Sequence, residues 1–265
     1  MKPVAQTYKS PKRLLEELGI TDAEDIDVEA IAQYNDATIV YEPLTGSEAR
    51  ILGNGDKAII TINKHSPVQR QRFSAGHELG HWMRDRGKIA LSCTDRIYKT
   101  SWSEDSPEQR ANRYSVELLM PEPMFAPCTK NLPMVFESVR SLCGVFNTSL
   151  TATAIRLTEL SSYNAMLVCY ENRRRKWFFR GPDIPKALWP YEQLSTSTKA
   201  ASLSSTTGDQ ATGNSSADAW VDHPGSWQYS VKEDSIVIGS GLTLSLVWWQ
   251  NEKQILDLDE DKEDE

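Results

Sequence analysis

The run His77-Glu78-Leu79-Gly80-His81 constrains this chain more than any other five residues, because its chemistry works only on a helix. Residues four apart share a helical face, so both imidazoles can reach one metal ion if the segment is helical. Glu78 then lies on the metal side, one residue on from His77, where it can take a proton from metal-bound water. Zinc brings the pKa of such a water to about 7 and polarises a carbonyl at the same time. The motif therefore reads as a Zn2+ site of a peptide-bond hydrolase, with His77 and His81 as metal ligands and Glu78 as the catalytic base. With four histidines in 265 residues, chance would produce the pattern on the order of one time in a hundred or less. The bland alternative is a pair of histidines that merely share a helix face.

Catalytic zinc takes three protein ligands and keeps one position open. A metzincin would place histidine at 87 and glycine at 84; Gly87 and Arg84 stand there instead and exclude that class. His65 and His223 are the remaining histidines, and neither stands at a telling spacing. Glu108 is the better third donor. Ser106-Pro107-Glu108-Gln109 is a helix start, with serine as cap, proline in the first turn and Gln109 completing a capping box. Asn112, one turn after Glu108, shares its face and could orient a ligating imidazole. Without the upstream motif, Glu108 would be read as an acid stabilising its own helix N-terminus by a few tenths to about 1 kcal/mol. Tyr98, Arg113 and Tyr114 are candidate transition-state donors on residue type alone.

Around the motif, helical and strand periodicities alternate. Residues 11–18, opened by Ser10-Pro11 and closed by Gly19, predict a short capped helix, and a second helix falls at about 27–34. Ala37–Tyr41, Ala49–Leu52 and Lys57–Ile62 predict a small sheet, and 67–84 the motif helix. A helix from Ser106 ends near Met120, where Pro121 and Pro123 stop it. Met134–Cys143 and Leu150–Leu160 form a helix-turn-helix-like pair around Gly144-Val-Phe-Asn-Thr-Ser149. Beyond 162 the pattern is strand-like, with Ala165–Tyr170 and Lys176–Phe179 flanking a hairpin tip at Asn172-Arg-Arg-Arg175. Trp227–Val231, Ile236–Ile238 and Leu242–Trp249 continue it.

Residues 195–218 contain 12 serines or threonines in 24 positions and predict a mobile loop. The last nine residues hold seven carboxylates and predict a disordered acidic tail over 257–265. The tryptophans 177, 189, 220, 227, 248 and 249 read as core.

Two blocks, Arg70-Gln-Arg-Phe-Ser-Ala-Gly-His77-Glu-Leu-Gly-His81 and Glu108-Gln-Arg-Ala-Asn112-Arg-Tyr-Ser-Val-Glu-Leu-Leu-Met-Pro121, resemble the ImmA/IrrE family of metallo-endopeptidases. A third, Ser149-Leu-Thr-Ala-Thr-Ala-Ile-Arg156-Leu, matches that family's usual continuation, so the resemblance covers about residues 25–160. It implies a gluzincin-like protease with His77, His81 and Glu108 as zinc ligands and Glu78 as base. It also implies cleavage of a helix-turn-helix repressor, switching on stress-response or mobile-element genes. Gly76 departs from the alanine many members have, and Tyr114 from the usual phenylalanine. The resemblance does not extend past about 162, so the later region is open to a sensory, docking or lid role.

The expected architecture is thus α+β. A helix-rich zincin-like domain with a small sheet spans 1–162, including the helix pair at 133–160, and a strand-rich domain spans 163–256. The alternative function is a regulator- or DNA-binding protein with structural zinc, nucleic acid being met through 133–160. A net charge of −8 opposes non-specific nucleic-acid binding. No apolar run approaches the roughly 18 residues of a membrane span, and no signal peptide opens the chain. Cys93, Cys128, Cys143 and Cys169 form no C-x-x-C pair and read as reduced thiols. The expected setting is the cytoplasm, with a protein substrate.

Overall fold

The computed structural model describes residues 8–86, 90–93, 106–239 and 241–260. Within these the fold is α+β, with eight α-helices and two sheets. The chain divides into two compact units, the first built from 1–127 and 143–149, the second from 128–142 and 150–265.

The first unit begins with α1 (Pro11–Leu18). Ser10 accepts from the Arg13 amide, proline fills the first turn, and Gly19 at φ 67° closes the helix in the left-handed region. In α2 (Val28–Tyr34) the cap is Asp27, which accepts from the amides of Glu29 and Ala30. Strands β1 (Ala37–Glu42), β2 (Ala49–Asn54), β3 (Lys57–Asn63) and β4 (Ala90–Cys93) form a sheet in the order β1-β3-β2-β4. β2 and β3 make a hairpin whose two-residue turn uses Gly55 at φ 60°, the sign a primed turn requires. β1 joins the other edge of β3 in parallel. Alternation with period two sends Ala49 and Ile51 of β2, with Ala58, Ile60 and Ile62 of β3, into one core.

Against that core lies α3 (Val68–Asp85), contributing Ala75, Leu79, Trp82 and Met83. Full burial of an aliphatic side chain such as Leu79 stabilises by about 1.5–3 kcal/mol. α4 (Pro107–Leu119) packs along α3 and adds Tyr114, Leu118 and Leu119. Pro121 ends α4, yet Pro123 falls in the first turn of a further helix, α5 (Glu122–Thr129), where a missing amide costs nothing.

The second unit is a five-stranded antiparallel sheet in the order β6-β5-β9-β8-β7: β5 (Asn164–Glu171), β6 (Arg174–Arg180), β7 (Gln210–Ser216), β8 (Ser230–Gly239) and β9 (Leu242–Trp249). β5, flanked by β6 and β9, is buried at all six interior positions, which is why its sequence shows no polar alternation. Asn172 and Arg173, at φ 50° and 67°, turn β5 into β6. α7 (Leu150–Leu160) packs on β5 and β6, and α8 (Glu252–Glu260) inserts Ile255 and Leu258 into the core beside Trp249.

Two adjacent carboxylates on β8 are fully buried. Asp234 Oδ2 accepts from the amide of Phe136 at 2.6 Å, so it caps the N-terminus of α6 (Phe136–Phe146) from outside the helix. Asp234 also accepts from Gln210 and Thr212 of β7. Glu233 accepts from the Lys199 amide and the Ser215 hydroxyl, and burial pushes its carboxyl pKa up despite those bonds. The unfolded chain therefore releases this proton first as pH rises, and the stability tied to the protonated form is present at low pH and lost above the ordinary glutamate range near pH 4.3. Glu233→Gln is expected to raise the thermal midpoint at pH 8 and to change it progressively less as pH falls through about 4, measured by calorimetry across pH.

The sequence expectations and the structure part at several points. Contacts divide the chain elsewhere than at 162: 128–142 and 150–160 cluster with the strand-rich unit, because Asp234 caps α6 and α7 lies on β5 and β6. The 195–218 stretch is not a continuous loop, since 210–216 pair with β8 as β7 through backbone hydrogen bonds and buried acceptors. The acidic tail begins later than 257, because α8 runs through Glu260 on its apolar pair; 261–265 lie outside the described residues. In the helix pair at 133–160, α7 has six half-buried residues and none that is exposed, and Arg156 is buried against Glu159 at 2.7 Å.

Candidate metal centre

α3 carries His77 and His81 on its inward face, 4% and 2% exposed, with their Nε2 atoms 3.1 Å apart. The rings meet edge to face, 77° between planes. Glu108 arrives from the first turn of α4, Oε2 at 3.2 Å from His77 Nε2 and Oε1 at 3.5 Å from His81 Nε2. Tetrahedral zinc with bonds of about 2.0–2.1 Å separates its ligands by about 3.3 Å. The three donor separations bracket that value, and two imidazoles with one carboxylate are a donor set zinc accepts, so the residues fit the ion. Among the described residues these three are the one histidine, cysteine and carboxylate cluster able to hold a metal.

The surroundings set the proton positions. His77 Nδ1–H donates to Asn112 Oδ1 at 2.8 Å, which leaves the Nε2 lone pair facing the cluster. Glu78 is fully buried beside His77.

What brings Glu108 within reach is the closeness of α3 and α4. A Cβ on Gly80 would stand 2.9 Å from Tyr114 Cβ and 3.2 Å from Ala111 Cα, so only glycine permits this approach. Ser115 Oγ donates to the Phe73 carbonyl at 2.8 Å across the same seam. A Cβ on Gly76 would meet Ser115 Oγ at 2.7 Å and Ser115 Cβ at 3.3 Å, so alanine there displaces the hydroxyl from the Phe73 carbonyl. Gly80→Ala is expected to be the harsher change. Overpacking of about 1–3 kcal/mol outweighs the roughly 1 kcal/mol alanine contributes in a helix. Urea denaturation should show a net loss of about 1 kcal/mol, with a smaller loss for Gly76→Ala, where one buried hydrogen bond is given up.

The structure therefore brings together His77, Glu78, His81, Glu108 and Asn112, and leaves the other candidates apart. His65 is exposed; His223 is buried in the second unit, its Nδ1 accepting from the Gly225 amide at 3.2 Å. Arg113 pairs with Glu117 at 2.7 Å on the α4 surface. Tyr114 is buried against Gly80, and burial raises its hydroxyl pKa. Tyr98 lies outside the described residues. Sequence reading missed Gly80 and Gly76 as contact points, although two small residues four apart on the histidine helix were the visible signal.

Residues 32–158 match the family model Peptidase_M78, the IrrE N-terminal-like domain. A solved structure of a Mycobacterium tuberculosis transcriptional regulator is similar in fold, with a TM-score of 0.58 at 10% identity over 90% of this chain and 74% of that one. No curated protein matches the chain significantly. No helix among the described residues is long and apolar enough to cross a membrane.

Proposed function

Since residues 32–158 belong to the IrrE N-terminal-like domain family of peptidases, we propose that this chain is a zinc-dependent endopeptidase acting on a protein substrate in the cytoplasm. The observation that carries the reading is the convergence of His77 Nε2, His81 Nε2 and the Glu108 carboxylate within 4.8 Å of one another, next to Glu78. Zinc bound there supplies Lewis acidity and a water acidified to about pKa 7. His77, His81 and Glu108 would hold the ion, with Asn112 fixing the His77 ring in the tautomer that leaves Nε2 free. Glu78 receives the proton of the attacking water and returns it to the amine of the departing product. Its burial removes competing water, so the proton passes between partners held in place.

The ImmA/IrrE resemblance supports a helix-turn-helix repressor as substrate, with cleavage switching on a stress-response or mobile-element programme. The burial of Arg156 in α7 and the chain's net charge of −8 favour this reading over direct DNA binding. The test is to mix the zinc-loaded protein with the helix-turn-helix regulator encoded beside its gene and to seek a discrete fragment by mass spectrometry, alongside a chelated sample. A single cut, lost on chelation and restored by zinc, is the expected result. Intact regulator in every arm overturns the reading.

Asn112→Ala is expected to weaken zinc binding about 10- to 100-fold, because the His77 ring loses the acceptor that orients it. Competition against a chromogenic chelator measures this directly.

A further inference from the structure

The second unit contains an open groove of about 630 Å³ that the peptidase reading does not use. Its floor is the strip 189–194, held on both sides by main-chain hydrogen bonds. The Tyr191 amide donates to the Trp220 carbonyl and the Asp222 amide to the Trp189 carbonyl, while the Arg175 amide donates to the Glu192 carbonyl and the Leu194 amide to the Arg173 carbonyl. With both edges of the strip occupied, nothing can add to it as a strand, and recognition must come through side chains.

Those side chains have a definite character. Trp189 is 51% exposed, although its ring is fixed by the Arg180 guanidinium at 4.6 Å, by that of Arg175 at 5.9 Å and by an edge-to-face contact with Phe178 at 5.2 Å between centroids. An indole held rigid and left open is a stacking platform that loses little freedom on binding. Asp218 and Asp222 line the groove, both exposed, and neither carboxylate has an ion-pair or hydrogen-bond partner among the described residues. Burial and the fields of Asp222 and Asp218 together raise the Tyr191 hydroxyl pKa, which places both carboxylates near it. Glu192 is a third acid, engaged with Arg174 at 3.7 Å. Arg175 is the groove's one cation, and it stacks over Phe178 at 5.2 Å.

We propose that this groove docks an extended basic segment of a protein partner, a lysine or arginine entering between Asp218 and Asp222 and a neighbouring aromatic or aliphatic side chain covering Trp189. Complementary charge dictates the sign: Glu192 is engaged by Arg174 and Arg175 lies on aromatic rings, so the free carboxylates of Asp218 and Asp222 leave their end of the lining net negative. The volume and openness suit a few residues of peptide rather than an enclosed small ligand. The proposal stands independently of the metal centre.

The test is isothermal titration of the full-length protein with an acetylated, amidated hexapeptide alternating lysine and tryptophan, and with its glutamate and tryptophan counterpart. The expected result is at least tenfold preference for the lysine peptide, weakened at least fivefold in Asp218→Asn/Asp222→Asn and in Trp189→Ala. Glu78→Gln should bind it as the parent does. Equal binding of the two peptides, or binding unchanged in both groove variants, overturns the proposal. Displacement of the lysine peptide by an equal concentration of free spermidine overturns it as well, because the groove would then answer to a small polyamine.

Discussion

Replacing Glu78 by glutamine is expected to lower the rate of peptide cleavage by two to four orders of magnitude, the range general acid–base groups contribute. Glutamine keeps the volume and the hydrogen-bonding capacity of a fully buried side chain, so the fold has little reason to change. It removes the one function the carboxylate has in the proposed reaction, which is to accept a proton. Zinc stoichiometry should stay at the parental value, because the donors belong to His77, His81 and Glu108. Single-turnover cleavage together with metal analysis separates the effects: lost zinc would make Glu78 a structural residue, and unchanged cleavage would remove it from the chemistry.

Trp82→Ala should produce the largest loss of stability, about 3–5 kcal/mol. The ring is fully buried in the core between α3 and the sheet, and its indole donates to the Asn35 carbonyl at 2.7 Å, where α2 ends. Arg86 stacks on the ring at 5.0 Å and donates to the same carbonyl at 2.7 Å, so truncation leaves a void while that oxygen keeps one partner. Domains are stable by only about 5–15 kcal/mol. The urea midpoint of the variant should therefore fall sharply, and a shift worth under about 1 kcal/mol would show that the cavity collapses.

The first unit was legible because its local signals agree with its tertiary contacts. Ser10, Gly19 and Ser106 act as caps where their sequence context puts them, and the β2–β3 hairpin follows from alternation and Gly55. The histidine pair and Glu108 were legible as chemistry and as spacing. The second unit hid its structure where polar residues replace the usual apolar signal. β7 looks like linker because Thr212 and Ser215 are read as solvated, whereas they donate to Asp234 and Glu233 on the neighbouring strand. α8 disappears into an acidic run because only Ile255 and Leu258 mark its buried face. The order of strands in either sheet could not be read, since pairing between distant segments leaves no mark in any one of them.

Glu108 stands in the opening turn of its helix and is 58% exposed at its side chain, while both histidines sit deep in a long one. Helix ends open far more readily than helix middles. The three grips on an ion are therefore unequal, two anchored in the scaffold and one at a hinge. Unwinding a single turn releases the third without disturbing the protein interior. If the proposed site holds its ion, metal exchange should be a local breathing event whose rate is set at the start of α4 and not by global unfolding.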